Sequence, residues 1–430
     1  MQKKIVGYEA EKREMAKLNN MIVNAAKFRE IGIRLPKGVL LWGEPGVGKT
    51  VLAQSIASDG VKLFEVKAAN CCRDDAASEL KSVFTRAKSN TPCVILLDEL
   101  DKIAGMSNAF YAHVNETVNK VLLQELDDIP DNLDLLVVAT CNEKDSLGLA
   151  LTRSGRFDRI INVRKPDKAT RKAILEMYFS VIKIKNDLDF EHLAKITLNF
   201  SCAALECIAN ESAIRAYENG HEEITFSDVR EVIDKMSFGT EAQATARNEE
   251  NLRKTAVHEA GHCLAALMLY PDAVEGITIM RRGDTEGHVR FALFENEASS
   301  LEDCENLVAI ALAGHVAEKE IFGTYFLGSS TDLMKAAASV KKMIVADGMY
   351  GYKYIGANEM ISRSSPERTC YELAEFQQEI LERLDKKAAK LIAENRKLFD
   401  LIVDTVMERQ TLTRDEILEL KKKSEAEKAA

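Results

Sequence analysis

Four apolar residues, Val39–Trp42, run directly into Gly43-Glu-Pro-Gly-Val-Gly-Lys49-Thr50, and the chain continues as a predicted helix over Thr50–Ser58. An apolar run this short, bounded by glycines, reads as a buried strand. Strand, glycine loop and helix in that order are the setting of a phosphate-binding loop. The glycines let backbone N–H groups face the phosphates of a nucleotide, Lys49 reaches the terminal ones, and the Thr50 hydroxyl can ligate Mg²⁺.

Two further apolar runs end in polar residues suited to the same chemistry. Cys93–Leu97 leads into Asp98-Glu99-Leu-Asp101, where a carboxylate at a strand end would hold Mg²⁺ and Glu99 beside it would orient the attacking water. Leu135–Ala139 leads into Thr140-Cys141-Asn142, and Asn142 can hold that water against the γ-phosphate. Arg153 and Arg156 follow in a short turn containing Gly155. They are candidates for stabilising charge at a phosphoryl transition state, supplied to a neighbouring subunit if the chain forms a ring. From Pro166 the strand signals stop. Thr170–Tyr178, Phe190–Ile196, Ala203–Asn219 and Phe226–Met236 read as helices, the last with Ser227 or Asp228 as its cap. Ahead of the glycine loop, Lys12–Ile31 reads as helical.

After the polar stretch Gly239–Glu250 comes the second constellation, Val257-His-Glu-Ala-Gly-His262. His258 and His262 are one helical turn apart, so both imidazoles leave the same face, and Glu259 lies beside them. Two nitrogen ligands for Zn²⁺ and a carboxylate placed to accept a proton from an attacking water are the HExxH arrangement. Such a site needs a third protein ligand, and His288, His315, Glu318 and Asp332 are the candidates. His288 falls in a short β-rich insert, Val274–Arg281 and Gly287–Leu293, where a surface role is expected. His315 and Glu318 share the predicted helix Ser300–Phe322, and Asp332 opens the next one, Thr331–Ala346, where a carboxylate can serve as a cap. The residues alone leave the choice between Glu318 and Asp332 open. From Tyr371 the pattern is an amphipathic helix pair joined near Glu408–Glu416, with a charged, frayed tail.

Composition limits the partners. Lys and Arg number 58 against 68 Asp and Glu, a net charge of −10, which argues against a nucleic-acid surface. Nine cysteines without a CxxC pair, several in apolar runs, read as buried thiols in a reducing compartment. The start of the chain has no apolar signal core, and no apolar run approaches the roughly 18–20 residues of a membrane helix.

The order of these parts resembles the FtsH family of AAA+ zinc metalloproteases, from Val6-Gly7 to Thr411–Leu420, most specifically in GEPGVGKT, NETVNKVLLQELD, RSGRFDR, VHEAGH and TDLMKAA. The resemblance implies a multidomain chain: an α/β AAA+ P-loop ATPase domain over residues 1–168, a helical lid over 169–238 and a linker over 239–250. A mainly α-helical zinc metallopeptidase domain over 251–421 and a charged tail over 422–430 complete it. It places Gly46, Val47, Gly48, Lys49, Thr50 and Val51 on the ATP phosphates, with Val6 and Gly7 also at the nucleotide. Asp98 falls on Mg²⁺, Glu99 becomes the ATP-hydrolysis base, Asn142 a sensor, and Arg153 and Arg156 arginine fingers acting in trans. Asp332 becomes the third Zn²⁺ ligand and Glu259 the peptidase base. Family members form homohexamers that thread polypeptide substrates into a peptidase chamber and are usually membrane-anchored with these domains in the cytoplasm. Any membrane association of this chain would come through something outside it.

Two further departures from the family pattern stand out. The pore-loop span Lys67–Ala76, KAANCCRDDA, lacks the aromatic grip of the family, and Asn199, Cys202 and Ala204 replace Gly, Gly and Asp of the lid run GFSGADL. The first gives the alternative expectation of an ATP-driven remodelling or scaffold ring with weak or ATP-uncoupled peptidase activity.

Overall fold

The computed structural model describes residues 5–429 apart from 59, 68–75, 105–111, 148–149, 154, 240–247, 282–285, 292–299, 352 and 355–366. It divides into two compact units, Met1–Val229 and Arg230–Ala430. The division falls inside a helix, Phe226–Phe238, whereas the sequence places the end of the helical lid at 238. The pore-loop residues 68–75 and most of the linker lie outside the described residues.

The first unit begins with α1 (Glu9–Val23) and α2 (Ala25–Glu30), which together cover the expected helical stretch. An α/β layer follows: β1 (Gly38–Trp42), α3 (Lys49–Gln54), β2 (Lys62–Lys67), α4 (Ala76–Lys88), β3 (Cys93–Asp98), α5 (Leu100–Ala104), α6 (Ala112–Asp127), β4 (Leu135–Cys141) and β5 (Phe157–Asn162). The five strands pair in the order β2-β3-β4-β1-β5, all parallel. Parallel sheets are covered on both faces, which is why β1, β3 and β4 are unbroken apolar runs. Side chains alternate across β1: Leu40 packs with Phe84, Ile95 and Val137 on one face, and Val39 and Leu41 pack with Leu52, Leu96 and Val138 on the other. The edge strands β2 and β5 mix polar and apolar residues, so the apolar-run signal misses them.

The rest of this unit is helical: α7 (Lys168–Val181), β6 (Lys185–Asn186), α8 (Phe190–Ile196), α9 (Cys202–Glu218), β7 (Glu223–Ile224) and the start of α10 (Phe226–Phe238). The expectation that strands stop at Pro166 needs a small correction, because β6 and β7 form a two-residue parallel pairing. The cap of α10 needs another. Asp228 lies in the first turn rather than at the cap, accepting from the backbone N–H and hydroxyl of Thr225 at 2.9 and 2.7 Å while its own N–H donates back to Thr225 Oγ1. That reciprocal pairing makes Thr225 the capping residue. Asn199 adopts a left-handed φ of 64°, which explains how asparagine stands in for glycine there.

The second unit is built on α11 (Glu249–Leu269), buried on nearly every side from Thr255 to Leu267. Around it run β8 (Val274–Thr278), β9 (His288–Phe291), α12 (Leu301–Phe322), α13 (Ser330–Val345), α14 (Glu367–Glu394), α15 (Arg396–Arg409), β10 (Thr411–Thr413) and α16 (Arg414–Ala429). The strands form a sheet in the order β10-β8-β9 with antiparallel pairing, leaving β9 outermost. The expected C-terminal helix pair is three helices, because the chain breaks at Asn395 between α14 and α15; the expected join near Glu408–Glu416 holds Thr411–Thr413, which pairs with β8 as a strand. The tail expected to fray is the end of α16, helical to Ala429 with Ser424 buried. Among the described residues no helix is long and apolar enough to cross a membrane.

Candidate ATP and metal sites

Parallel strands gather polar residues at their carboxyl ends, where open α/β sheets bind ligands. A cavity of about 300 Å³ lies there in the first unit, lined by Gly46–Leu52, Asp98, Glu99, Thr140 and Asn142. Lys49 is buried and donates to the carbonyls of Gly43 and Glu44 and to Asn142 Oδ1 at 2.7, 2.8 and 3.0 Å. Burial pushes its pKa down, while Cys141, Asp101, Asp98 and Glu99 push the other way. Asp98 Oδ1 accepts from the hydroxyls of Thr50 and Thr140 at 2.8 and 2.7 Å, so the two residues expected to hold Mg²⁺ are adjacent. Thr140 in turn accepts the Glu99 N–H at 2.9 Å. Glu99 holds a left-handed φ of 59°, an uncommon backbone for a non-glycine residue. Its carboxylate pairs with Lys102 at 2.8 Å, and Asp101 fixes the backbone of Asn142 at 3.0 Å.

The other end of the cavity is formed by Ile5, Val6, Tyr8, Ile174, Tyr178 and Cys202. Gly7 lies between the lining residues Val6 and Tyr8. Its φ is +70° and a Cβ would lie 2.3 Å from Thr170, so glycine is needed there for a close approach to α7. Cys202, the departure from the family's glycine, donates to the Val47 carbonyl at 3.5 Å and touches Tyr8 Oη at 3.3 Å. Neither Arg153 nor Arg156 lines the cavity. Arg153 is exposed, and Arg156 is clamped by both oxygens of Asp127 at 2.8 Å and by the Ala150 carbonyl.

In the second unit, α11 brings His258 and His262 to one face as their spacing requires. Their Nε2 atoms are 3.0 Å apart, and Asp332 Oδ2 lies 3.3 Å from the first and 3.6 Å from the second. Tetrahedral Zn²⁺ with bonds of roughly 2.0–2.1 Å separates its ligand atoms by roughly 3.3–3.5 Å, so this triangle has the right size. Each imidazole is oriented from behind: His258 Nδ1 by Glu318 Oε1 at 2.8 Å, and His262 Nδ1 by the Ile310 carbonyl at 2.7 Å. Such contacts fix the tautomer that turns Nε2 to a metal. The electrostatics favour a cation. Burial pushes His258 down, but Asp332 and Glu318 outweigh it and lift it to about 10. Burial also acts to raise Asp332, yet hydrogen bonds from both imidazoles hold it well below the usual carboxylate range. Glu259 is buried and shifted upward by that burial.

Two glycines permit this packing. A Cβ on Gly314 of α12 would lie 2.4 Å from His262 Nε2, and one on Gly261 would lie 2.4 Å from the Ala313 carbonyl. The alternatives for a third ligand now separate. Glu318 stands behind His258, its other oxygen accepting the Phe326 N–H at 3.0 Å. His315 bonds to Ser329 instead of facing the trio. His288, expected at the surface, is buried in β9 and lines the cavity of about 820 Å³ that holds His258, Glu259, His262 and Asp332. Sequence reasoning missed Gly314 and the backing roles of Glu318 and Ile310, because no local pattern records contacts across so many residues.

Comparison with known proteins agrees with this division. Residues 39–165 match the family described as ATPase family associated with various cellular activities (AAA), and residues 245–420 match Peptidase family M41. The chain is similar to the ATP-dependent zinc metalloprotease FtsH 2 of Phytoplasma mali, at 34% identity over 97% of this chain and 62% of that protein. It is also similar to the ATP-dependent zinc metalloprotease FtsH 3 of Synechocystis sp., at 31% identity over 96% of this chain and 71% of that protein. A third relative, the ATP-dependent zinc metalloprotease FtsH of Thermus thermophilus, is 31% identical over 96% of this chain and 69% of its own length. The chain therefore spans between about three fifths and seven tenths of these relatives.

Proposed function

Because the chain belongs to the FtsH family of ATP-dependent zinc metalloproteases, we propose that it hydrolyses peptide bonds at the His258–His262–Asp332 centre and ATP at the Lys49–Asp98 centre. The observation that carries the proposal is the triangle of His258 Nε2, His262 Nε2 and Asp332 Oδ2, with buried Glu259 lining the same cavity. When bound, Zn²⁺ supplies Lewis acidity, lowering the pKa of water and polarising a carbonyl. The protein's residues do the rest. Glu259, made more basic by burial, accepts the proton of the attacking water and returns it to the departing amine. The outer strand β9 borders the cavity, and an extended polypeptide can lie along it as an added strand.

In the first unit, Gly46–Val51 cradle the phosphates, Thr50 and Asp98 hold Mg²⁺, Glu99 orients the attacking water and Asn142 places it against the γ-phosphate. Arg153 is the better candidate to act on a neighbouring subunit, since Arg156 is held by Asp127. The assembly that brings it there is a homohexamer, and the substrates are polypeptides. The domain limits are those read from the sequence, 1–168, 169–238 and 251–421. Free thiols at Cys93, Cys141 and Cys263, all buried, fit a reducing cytoplasm.

The test is casein degradation and ATP turnover by Glu259→Gln. The expected result is loss of cleavage by at least about a hundredfold, as for removal of a general base, with ATP turnover and zinc content unchanged. Cleavage persisting in the zinc-loaded variant would overturn the assignment.

A further inference from the structure

We propose that His315 is a positioning residue for the metal centre, holding the turn that presents Asp332 to the two imidazoles. The inference rests on the reading of His258, His262 and Asp332 as a zinc site. His258 and His262 share the long helix α11, so their geometry is set by one rigid element. Asp332 has no such support. It sits in the first turn of α13, reached from α12 through the left-handed Gly323 (φ 68°) and a turn over Tyr325–Ser329. The placement of the third ligand therefore depends on what holds that turn.

Two side chains of α12, three residues apart and on one face, hold it. Glu318 accepts the Phe326 N–H at 3.0 Å. His315 does more: its ring lies flat on Tyr325, with centroids 4.0 Å apart and an interplanar angle of 1°, and its Nδ1 is 3.2 Å from Ser329 Oγ. The Ser329 hydroxyl donates its one proton to the Phe326 carbonyl at 2.9 Å, so its oxygen is the acceptor and His315 Nδ1 the donor. Ser329 is buried and lies three residues before Asp332. One imidazole thus clamps the turn at its start by stacking and at its end by a hydrogen bond. The sequence alone had offered His315 as a ligand; the structure assigns it to the scaffold of the ligand.

The test is the zinc affinity of the full chain, measured by competition with a chromophoric chelator. His315→Phe keeps a ring over Tyr325 but removes the donor, and His315→Asn keeps a donor at the Nδ1 position but removes the ring. Groups behind metal ligands contribute about 10–100-fold to affinity, and with Glu318 intact the lower end applies. His315→Phe is expected to weaken zinc binding about tenfold and to change the visible absorption of the cobalt(II)-substituted protein. Ser329→Ala should cost as much, the double variant no more than either single one, and His315→Asn should recover most of the loss. Melting of the chelator-treated His315→Phe protein should fall by no more than about 2–4 °C below that of the chelator-treated parent, the cost of about one hydrogen bond. Equal zinc affinity in His315→Phe and the parent, or additive losses with Ser329→Ala, would overturn the inference. Failure of the parent chain to take up zinc at all would instead overturn the reading of the site. Should His315→Phe fail to fold, Ser329→Ala and His315→Asn decide the matter by the same affinity measurement.

Discussion

At the scale of single residues, the two imidazoles of the proposed metal centre are each fixed by a second atom. His258 is turned by Glu318, His262 by a backbone carbonyl, and both imidazoles meet Asp332. Replacing Glu318 with Gln keeps its size but removes the charge behind His258. Zinc affinity should then fall by about 10–100-fold, as read by chelator competition, while casein turnover at saturating zinc falls less; unchanged affinity would remove Glu318 from the account. The residues proposed to bind directly were legible in the sequence wherever chemistry and spacing coincide, as in Lys49-Thr50 and in the His258–His262 turn. The proposed third ligand was not legible from spacing, because Glu318 near the end of one helix and Asp332 at the start of the next could each approach the imidazoles. Their separate jobs appear only when α12 and α13 fold against α11. His288 was misjudged for a related reason: a histidine in a short strand looks exposed until the strand is seen to border a cavity.

Elements impose their own demands. α11 and α12 cross so closely that Gly261 meets the Ala313 carbonyl and Gly314 meets both imidazoles. Gly314→Ala places a methyl in the volume of His262 Nε2. Overpacking of this sort costs about 1–3 kcal/mol, and here the strain falls on the ligands. The expected result is loss of zinc binding with the α-helical circular dichroism signal retained; normal zinc uptake would contradict the crossing. The start of α10 gives a pH test. Asp228 is buried, which by itself would raise its pKa, but hydrogen bonds from Thr225, His221 and Asn219 outweigh this and hold it below the ordinary 3.8. Its stabilisation is therefore complete above that value and lost as pH falls through the depressed one. Melting temperature followed from neutral pH into acid should fall below about pH 4, and Asp228→Ala should flatten that part of the fall. An identical acid slope in the variant would refute the role. The helix ends show how much of such detail a sequence yields: the acidic residue was visible, but its partner Thr225 was not, because Thr, Ser and Asp crowd the same four positions.

For the whole molecule, two proposed hydrolytic centres share one chain, and the described residues that line each cavity come from a single compact unit. The central sheet strands were legible because burial on both faces makes them continuously apolar, whereas edge strands β2 and β5 and the three-residue β10 carry no such signature. Coupling between the centres is a functional question. Glu99→Gln should bind ATP without turning it over, and a stably folded reporter protein should then survive while unfolded casein is still cleaved. Equal attack on the folded reporter by the parent and Glu99→Gln chains would mean that ATP hydrolysis does not drive unfolding. A parent chain that cleaves casein independently of ATP and spares the reporter would favour a ring whose peptidase is uncoupled.

The most direct measurement of the central claim is a zinc titration of the chelator-stripped chain, followed by cleavage of a fluorogenic peptide. Cleavage is expected to be absent at the start, to rise with added zinc and level off at one equivalent per chain, and to stay at baseline throughout in Asp332→Asn. Cleavage by the stripped chain, or a normal titration in Asp332→Asn, would contradict the claim.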